Sequence, residues 1–316
     1  MNDDQSHELD VRRRMLLLAT SFALVSCGGG GGASPAPPSP PQPIPPPAPP
    51  APGPAPLKSA KRGVAYNFAT LADLQAVSAG VSWWYDWGPH PDNALPANAA
   101  AQAATDFVPM LWNASYDEPS VTAYIRAHAI KYLLVLNEPN LVDQANLTPA
   151  QAASAWPGYE AVAAATGAKI VGPAITWGTL PGFSDPVVWM DAFIAAYQTA
   201  NGGRSPQIDY LAFHWYDYGL AGQLDRLAKY GKPFWVTEMA NWHTSTDAAA
   251  IDSVAKQEAQ MTDMVKTCED RADVFRYAWF TGRWNSDAHF TSLLGASPGT
   301  LTALGSLYLT LPFTAA

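Results

Sequence analysis

From Leu57 onward the chain alternates short apolar runs with longer, alanine-rich stretches of helical pattern. Gly63 to Tyr66, Val81 to Tyr85, Phe107 to Leu111, Tyr132 to Leu136, Lys169 to Gly172, Tyr210 to Phe213, Phe234 to Thr237 and Val274 to Trp279 are too short for helices. They are largely apolar on successive residues, as strands covered on both faces must be. Between them, Leu71 to Ala79, Val121 to Ala129, Ala150 to Ala165, Val188 to Tyr197 and Ala248 to Arg271 predict helices. Eight strands alternating with helices over roughly 260 residues predict an α/β fold, a (β/α)8 TIM barrel. An open doubly wound sheet is the rival, but no Gly-x-Gly-x-x-Gly turn follows any of the runs.

The pattern changes abruptly before Leu57. Arg12-Arg13-Arg14 precede the apolar run Met15 to Val25, which ends in Leu24-Val25-Ser26-Cys27. Basic, apolar and small-residue zones in that order predict an export signal over residues 1–27. It resembles a bacterial lipoprotein signal, which implies a lipid on Cys27, and the arginine pair loosely resembles a twin-arginine signal. The apolar run is about half the ~20 residues a membrane-spanning helix needs. Residues 28–57 then read as a linker: five glycines are followed by a stretch from Ser34 to Pro56 in which 14 of 23 residues are proline. Such a segment builds no core and extends at ~3.1 Å per residue as polyproline II. Residues 58–316 are thus expected to form the one folded domain, exported and lipid-anchored to a bacterial membrane or cell surface.

The formal charge of −9 argues against nucleic acid or acidic polymers as partners. With Cys27 lipidated, Cys268 has no disulfide partner and is expected to be inert packing. The 6 histidines show no ligand spacing, so neither a catalytic metal nor another cofactor is expected.

Two of the predicted strands end in an acid: Leu136-Asn137-Glu138-Pro139 and Val236-Thr237-Glu238. One such glutamate can be a helix cap. Two of them, at the ends of the fourth and seventh strands, face each other across a barrel mouth, and a carboxylate pair is what cleavage of a glycosidic bond requires. Around them, Trp84, Trp87, Trp112, Trp177, Trp215, Trp242, Trp279 and Trp284 fall at or just past strand ends. Tryptophan offers a broad apolar face for sugar C–H groups and an N–H for hydroxyls. Trp83, Trp189 and Trp235, inside strands or helices, are expected in the core. His214 and Tyr216, closing the sixth strand, stand next to Glu238 and are candidates to orient it, while Asn241 and His243 line the groove. Arg276 and Arg283 are near the last strand, where Arg276 is expected in a structural ion pair and Arg283 in a loop, with help in keeping Glu238 ionised as the alternative for either.

Several stretches together are similar to the retaining, clan A glycoside hydrolases, and more specifically resemble glycoside hydrolase family 128. They are Ser82-Trp83-Trp84-Tyr85-Asp86-Trp87, Phe107-Val108-Pro109-Met110-Leu111-Trp112, Leu136 to Asn140, Lys232 to Glu238 and Arg276-Tyr277-Ala278-Trp279-Phe280. The resemblance implies an endo-β-1,3-glucanase acting by double displacement. Glu138 would be the general acid/base, Glu238 the nucleophile, and Asn137 the partner of the sugar 2-hydroxyl. Asp86 departs from the asparagine of many relatives. The expected partner is a β-1,3-glucan, bound by a monomer that meets a membrane only through its anchor. Alternatives are another clan A glycanase, such as a mannanase or cellulase, and a non-catalytic glucan-binding lipoprotein.

Overall fold

The computed structural model describes residues 58–244 and 248–313. The expected signal, its Cys27 and the linker over 28–57 lie outside them. Among the described residues nine strands form one parallel sheet: β1 (Arg62–Ala65), β2 (Trp83–Tyr85), β3 (Asp106–Phe107), β4 (Met110–Leu111), β5 (Tyr132–Val135), β6 (Lys169–Ile175), β7 (Tyr210–Trp215), β8 (Phe234–Met239) and β9 (Val274–Trp279). Their order is β3-β2-β1-β9-β8-β7-β6-β5-β4.

The two outermost strands are consecutive in the chain, separated only by Val108 and Pro109. The Val108 N–H donates to Trp84 O (2.9 Å) on one side, and Pro109 O accepts from Leu134 N–H (3.0 Å) on the other. The sheet therefore closes on itself. The single strand expected over Phe107 to Leu111 is one barrel strand in two pieces, interrupted where proline lacks a ladder donor. The barrel predicted from the apolar runs is the fold.

Among the described residues eight α-helices surround it: α1 (Leu71–Ser78), α2 (Ala99–Ala103), α3 (Glu118–Ala127), α4 (Pro149–Thr166), α5 (Pro186–Ala200), α6 (Leu220–Leu227), α7 (Val254–Asp270) and α8 (Ala303–Thr310). Three of them, α2, α6 and α8, were not among the helices named from the sequence. Conversely, the helix expected from Ala248 starts only at Val254. The longest, α4, opens with a capping box: Thr148 accepts from Gln151 N–H while the Gln151 side chain accepts from Thr148 N–H. No helix among the described residues is long and apolar enough to cross a membrane.

Strand periodicity sorts the core into two layers. Inside the barrel lie Ala65, Trp83, Tyr85, Met110, Leu134, Val171, Ala212, Trp235, Ala278 and Phe280. Between strands and helices lie Val64, Trp84, Phe107, Val135, Phe213, Tyr277 and Trp279. Burying a Phe-sized side chain contributes about 1.5–3 kcal/mol. Gly63 makes room for the Trp83 ring, because a Cβ there would lie 2.3 Å from it. Trp83, Trp189 and Trp235 are fully buried, as expected of core residues.

One structural centre had no sequence signal. Arg62 is completely buried on β1 and donates to Tyr277 OH (2.9 Å), Tyr308 O (2.6 Å) and Leu311 O (2.8 Å), with Glu269 3.6 Å away. It ties the first strand to the last strand and the C-terminal helix.

Candidate active site

The ends of β5, β7 and β8 bring three titratable side chains together. Glu138 follows β5 through an unusual backbone: Leu136 (φ 56°) and Glu138 (φ 44°) are both left-handed. Each such non-glycine residue costs on the order of 1–2 kcal/mol, and this kind of strain concentrates at functional sites. Backbone hydrogen bonds hold it there, with Glu138 N–H donating to Ala174 O (2.8 Å) and Asn137 N–H to Trp112 O (2.9 Å). Asn137 is 3% exposed. Its Nδ2 donates to Gln144 Oε1 (3.1 Å), while its Oδ1 is buried without a partner.

Glu238 owes its direction to a bulge. Phe213 pairs with Val236 but His214 pairs with Glu238, so β8 inserts one extra residue and presents Glu238 level with His214. Its Oε1 accepts from Tyr85 OH (2.9 Å) and from the Trp87 indole N–H (2.8 Å). Its Oε2 accepts from Tyr216 OH. His214 is fully buried between the two acids: Nδ1 lies 2.9 Å from Glu138 Oε1 and 3.4 Å from Glu238 Oε2, and Nε2 lies 2.9 Å from Thr237 Oγ1.

Glu138, His214 and Glu238 each offer one ligand-type atom within 4.8 Å of the other two, the one such cluster among the described residues. No run of sequence could show it, because the three come from separate strands. Glu238 already accepts from three donors and His214 Nε2 faces Thr237 Oγ1, which describes two carboxylates arranged around an imidazole.

The hydroxyls of Tyr85 and Tyr216 and the indole N–H of Trp87 serve Glu238, while the two arginines near the last strand are engaged elsewhere. Arg283 bonds both oxygens of Asp73 (2.8 and 2.9 Å), and Arg276 lies over the rings of Trp235 (5.0 Å) and Tyr132 (5.1 Å) beside Asp106 (3.6 Å). Both arginines are structural. Burial pushes the Tyr85 hydroxyl well above its ordinary value, so it stays a donor. Burial also raises Asp86 to about 7, with the charge of Asp92 adding to the effect. Asp86 Oδ1 accepts from Gly88 N–H (3.0 Å) and so braces the turn that carries Trp87, a task an asparagine oxygen would also perform.

An aromatic wall runs from the carboxylates. Tyr216 stacks on Trp242 (4.0 Å, 26°), and Trp242 meets Phe280 (5.5 Å) and Trp284 (5.6 Å). Trp87 meets Phe280 at 5.8 Å. Trp112 packs against the same inner layer. Of the tryptophans expected to meet sugar, Trp87, Trp112, Trp242 and Trp284 thus belong to the mouth.

Four others stand elsewhere. Trp84 and Trp279 are fully buried on the helix side of the barrel and cannot meet a polymer, which corrects the expectation for both. The reason is alternation: Trp83 and Tyr85 point inward, so Trp84 points out. Trp279, between Ala278 and Phe280, follows the same rule, its N–H donating to Thr291 O (2.8 Å). Trp215, next to inward His214 and Tyr216, stacks on Phe213 and donates to Tyr218 O (3.0 Å). Trp177 is 45% exposed, with its N–H on Gln223 and Arg226 over its ring. His214, expected near the sugar, is sealed beneath the carboxylates, and Asn241 is likewise buried, donating to Gln260 (3.0 Å). His243 pairs with Asp217 (3.0 Å). Tyr85 and Phe280 were missed, although the alternation in Trp83-Trp84-Tyr85-Asp86-Trp87 marks Tyr85 and Trp87 as one face. Cys268 is fully buried, and burial pushes its thiol up, in keeping with inert packing.

Residues 63–308 match the family described as glycosyl hydrolase catalytic core. Among solved structures, the chain is similar to an endo-β-1,3-glucanase of glycoside hydrolase family 128, subgroup II, from Pseudomonas viridiflava, with 60% identity, a TM-score of 0.80, and coverage of 82% of this chain and 100% of that one. A subgroup II endo-β-1,3-glucanase from Sorangium cellulosum is 32% identical with a TM-score of 0.68, covering 81% of this chain and 100% of that one. A subgroup I endo-β-1,3-glucanase from Amycolatopsis mediterranei, in complex with laminaritriose, is 27% identical with a TM-score of 0.62, covering 80% and 100%. Alkali-sensitive linkage protein 1 of Schizosaccharomyces pombe is 25% identical over 268 residues, which are 79% of this chain and 44% of that protein, so the chain spans under half of that relative.

Proposed function

This chain belongs to glycoside hydrolase family 128, within the glycosyl hydrolase catalytic core, and on that premise we propose that it is a retaining endo-β-1,3-glucanase. The observation that carries the mechanism is the carboxylate spacing: oxygens of Glu138 and Glu238 lie within 4.8 Å of each other. Double displacement calls for ~5–5.5 Å, whereas an inverting pair stands ~6.5–9.5 Å apart to admit water. Glu138 protonates the glycosidic oxygen as Glu238 attacks the anomeric carbon. Glu138 then takes a proton from the water that releases the glycosyl-enzyme. His214 positions the acid/base, and the Oδ1 of Asn137 accepts a sugar hydroxyl. The aromatic wall carries apolar sugar faces, which suits an uncharged glucan chain, and no cofactor is called for.

The N-terminal residues support one more part of this reading. A lipid on Cys27 and the Gly/Pro-rich tether hold the barrel off a bacterial membrane or cell surface, and Cys27→Ser would release the protein into the soluble fraction.

The experiment is digestion of laminarin by the purified protein, following reducing ends, product sizes and the anomer first formed. New β-configured reducing ends within a shortening polymer are expected. Cleavage of mannan or cellulose with laminarin untouched, or an α-configured first product, would sink the proposal.

A further inference from the structure

The hydrogen bonds on Glu238 divide its two oxygens unequally. Oε1 accepts two strong donors, Tyr85 OH at 2.9 Å and Trp87 Nε1–H at 2.8 Å, both from the end of β2. Oε2 accepts from Tyr216, and the nearby His214 Nδ1, 3.4 Å away, is closer to Glu138. A carboxylate oxygen has two in-plane lone pairs. Those of Oε1 are both in use; Oε2 keeps one for a carbon electrophile.

Trp87 is held to this task at a cost. Its backbone is left-handed (φ 64°), a conformation a bulky residue rarely adopts and one that points to function where surroundings enforce it. Gly88 enforces it from the next residue, its N–H on Asp86 and its carbonyl accepting from Met110 N–H (2.9 Å). The indole is wedged edge-on between Tyr85 (5.4 Å) and Phe280 (5.8 Å). A ring serving only as a sugar platform needs no N–H aimed at a buried carboxylate.

We propose that Trp87, with Tyr85, is a positioning residue that pins Glu238 Oε1 as the spectator oxygen, so that Oε2 makes and breaks the bond to the sugar. The proposal rests on the double-displacement reading. In the first step the Oε2–C1 bond forms while the C1–O bond to the leaving sugar breaks, its electron pair going to the oxygen that Glu138 protonates. In the second, water adds to C1 and gives its proton to Glu138, while the Oε2–C1 pair returns to Glu238. Negative charge reappears on the carboxylate only then, and the two donors on Oε1 stabilise it as it leaves. Removing one of them makes Glu238 a poorer leaving group and slows deglycosylation in particular.

The test compares wild type, Trp87→Phe and Tyr85→Phe on 2,4-dinitrophenyl β-laminaribioside, whose good leaving group makes the first step fast. Tyr85→Phe removes one donor and keeps its ring, whereas Trp87→Phe removes the other donor and leaves a smaller ring, so misfolding of one leaves the other to report. The expected result is a kcat lower by about 10- to 100-fold, the range for a hydrogen bond to a charged group. KM falls in step, a burst of dinitrophenolate precedes turnover, and kcat/KM stays within about threefold. In a crystal of the 2-fluoro-laminaribiosyl adduct, C1 is bonded to the oxygen that Trp87 does not touch. A rise in KM at unchanged kcat, a loss carried by kcat/KM, or a bond at the oxygen facing Trp87 overturns the proposal. Product configuration separates the two levels: a first product of β configuration with any of those results removes the pinning role alone, whereas an α product removes double displacement and the pinning role with it.

Discussion

His214 Nδ1 lies 2.9 Å from Glu138 Oε1, and neither side chain is more than 1% exposed. On its other side the Nε2 of the ring lies 2.9 Å from Thr237 Oγ1, so the imidazole is held at both of its nitrogens. The contact fixes the acid/base of one strand from the next strand but one, and its loss should be felt where proton donation matters.

For His214→Asn we expect kcat/KM on laminarin to fall by about 10- to 100-fold. On a dinitrophenyl glycoside, which leaves without protonation, kcat/KM should change several-fold less. Equal losses on both substrates would mean that His214 serves the fold and not the acid.

Replacing each glutamate separately should distinguish their roles. Glu138→Ala should lose about 10²–10⁴-fold on laminarin, the usual share of general acid/base catalysis. Azide, entering the vacated space, should restore turnover of an activated aryl glycoside and yield a β-glycosyl azide. Glu238→Ala should lose at least as much, and azide should there give the α-azide. The opposite pairing of azide products would exchange the assignments.

Asp86 links pH to stability. Its carboxyl is raised by burial to about 7, so between its unfolded value near 4 and about 7 the folded protein binds the extra proton. Stability from this group is therefore present below pH 4 and lost as pH rises through 7. Asp86→Asn should flatten that part of the profile and stabilise the protein at pH 8 relative to pH 5 by on the order of 1 kcal/mol, once partial solvent access is allowed for, with a corresponding rise in melting temperature. Melting curves at the two pH values measure it, and a parallel shift at both would refute the linkage.

Arg62→Met removes a buried cation, takes the donor from Tyr308 O and Leu311 O, and leaves buried Glu269 without its counter-charge. Breaking such a set by deleting one partner costs about 3–5 kcal/mol. Urea denaturation should show that loss, with laminarin KM little changed in the folded fraction because Arg62 lies away from the carboxylates.

The barrel was legible because eight apolar runs, each too short for a helix, recur along the domain, and burial on both faces demands that composition. The acids were legible because Glu138 and Glu238 each terminate such a run. The split of the third strand was not, since Pro109 reads as part of an apolar run until its neighbours show that both ladders use the flanking groups. Counting tryptophans at strand ends overreached for Trp84 and Trp279, where a period of two decides which side faces the mouth. Arg62 and His214 carried no local signal, because their partners come from strands and helices far along the chain.

By itself, then, the sequence determined the strand and helix rhythm, the two glutamates and the aromatic richness of the mouth, all of which follow from local composition and spacing. Only the tertiary structure decided which oxygens meet which donors. The bulge at Thr237, the left-handed turns at Trp87 and Glu138, and closure of the barrel through Val108 and Pro109 set the distances around His214 and Glu238. Those distances depend on register between strands, which residue order constrains only through packing.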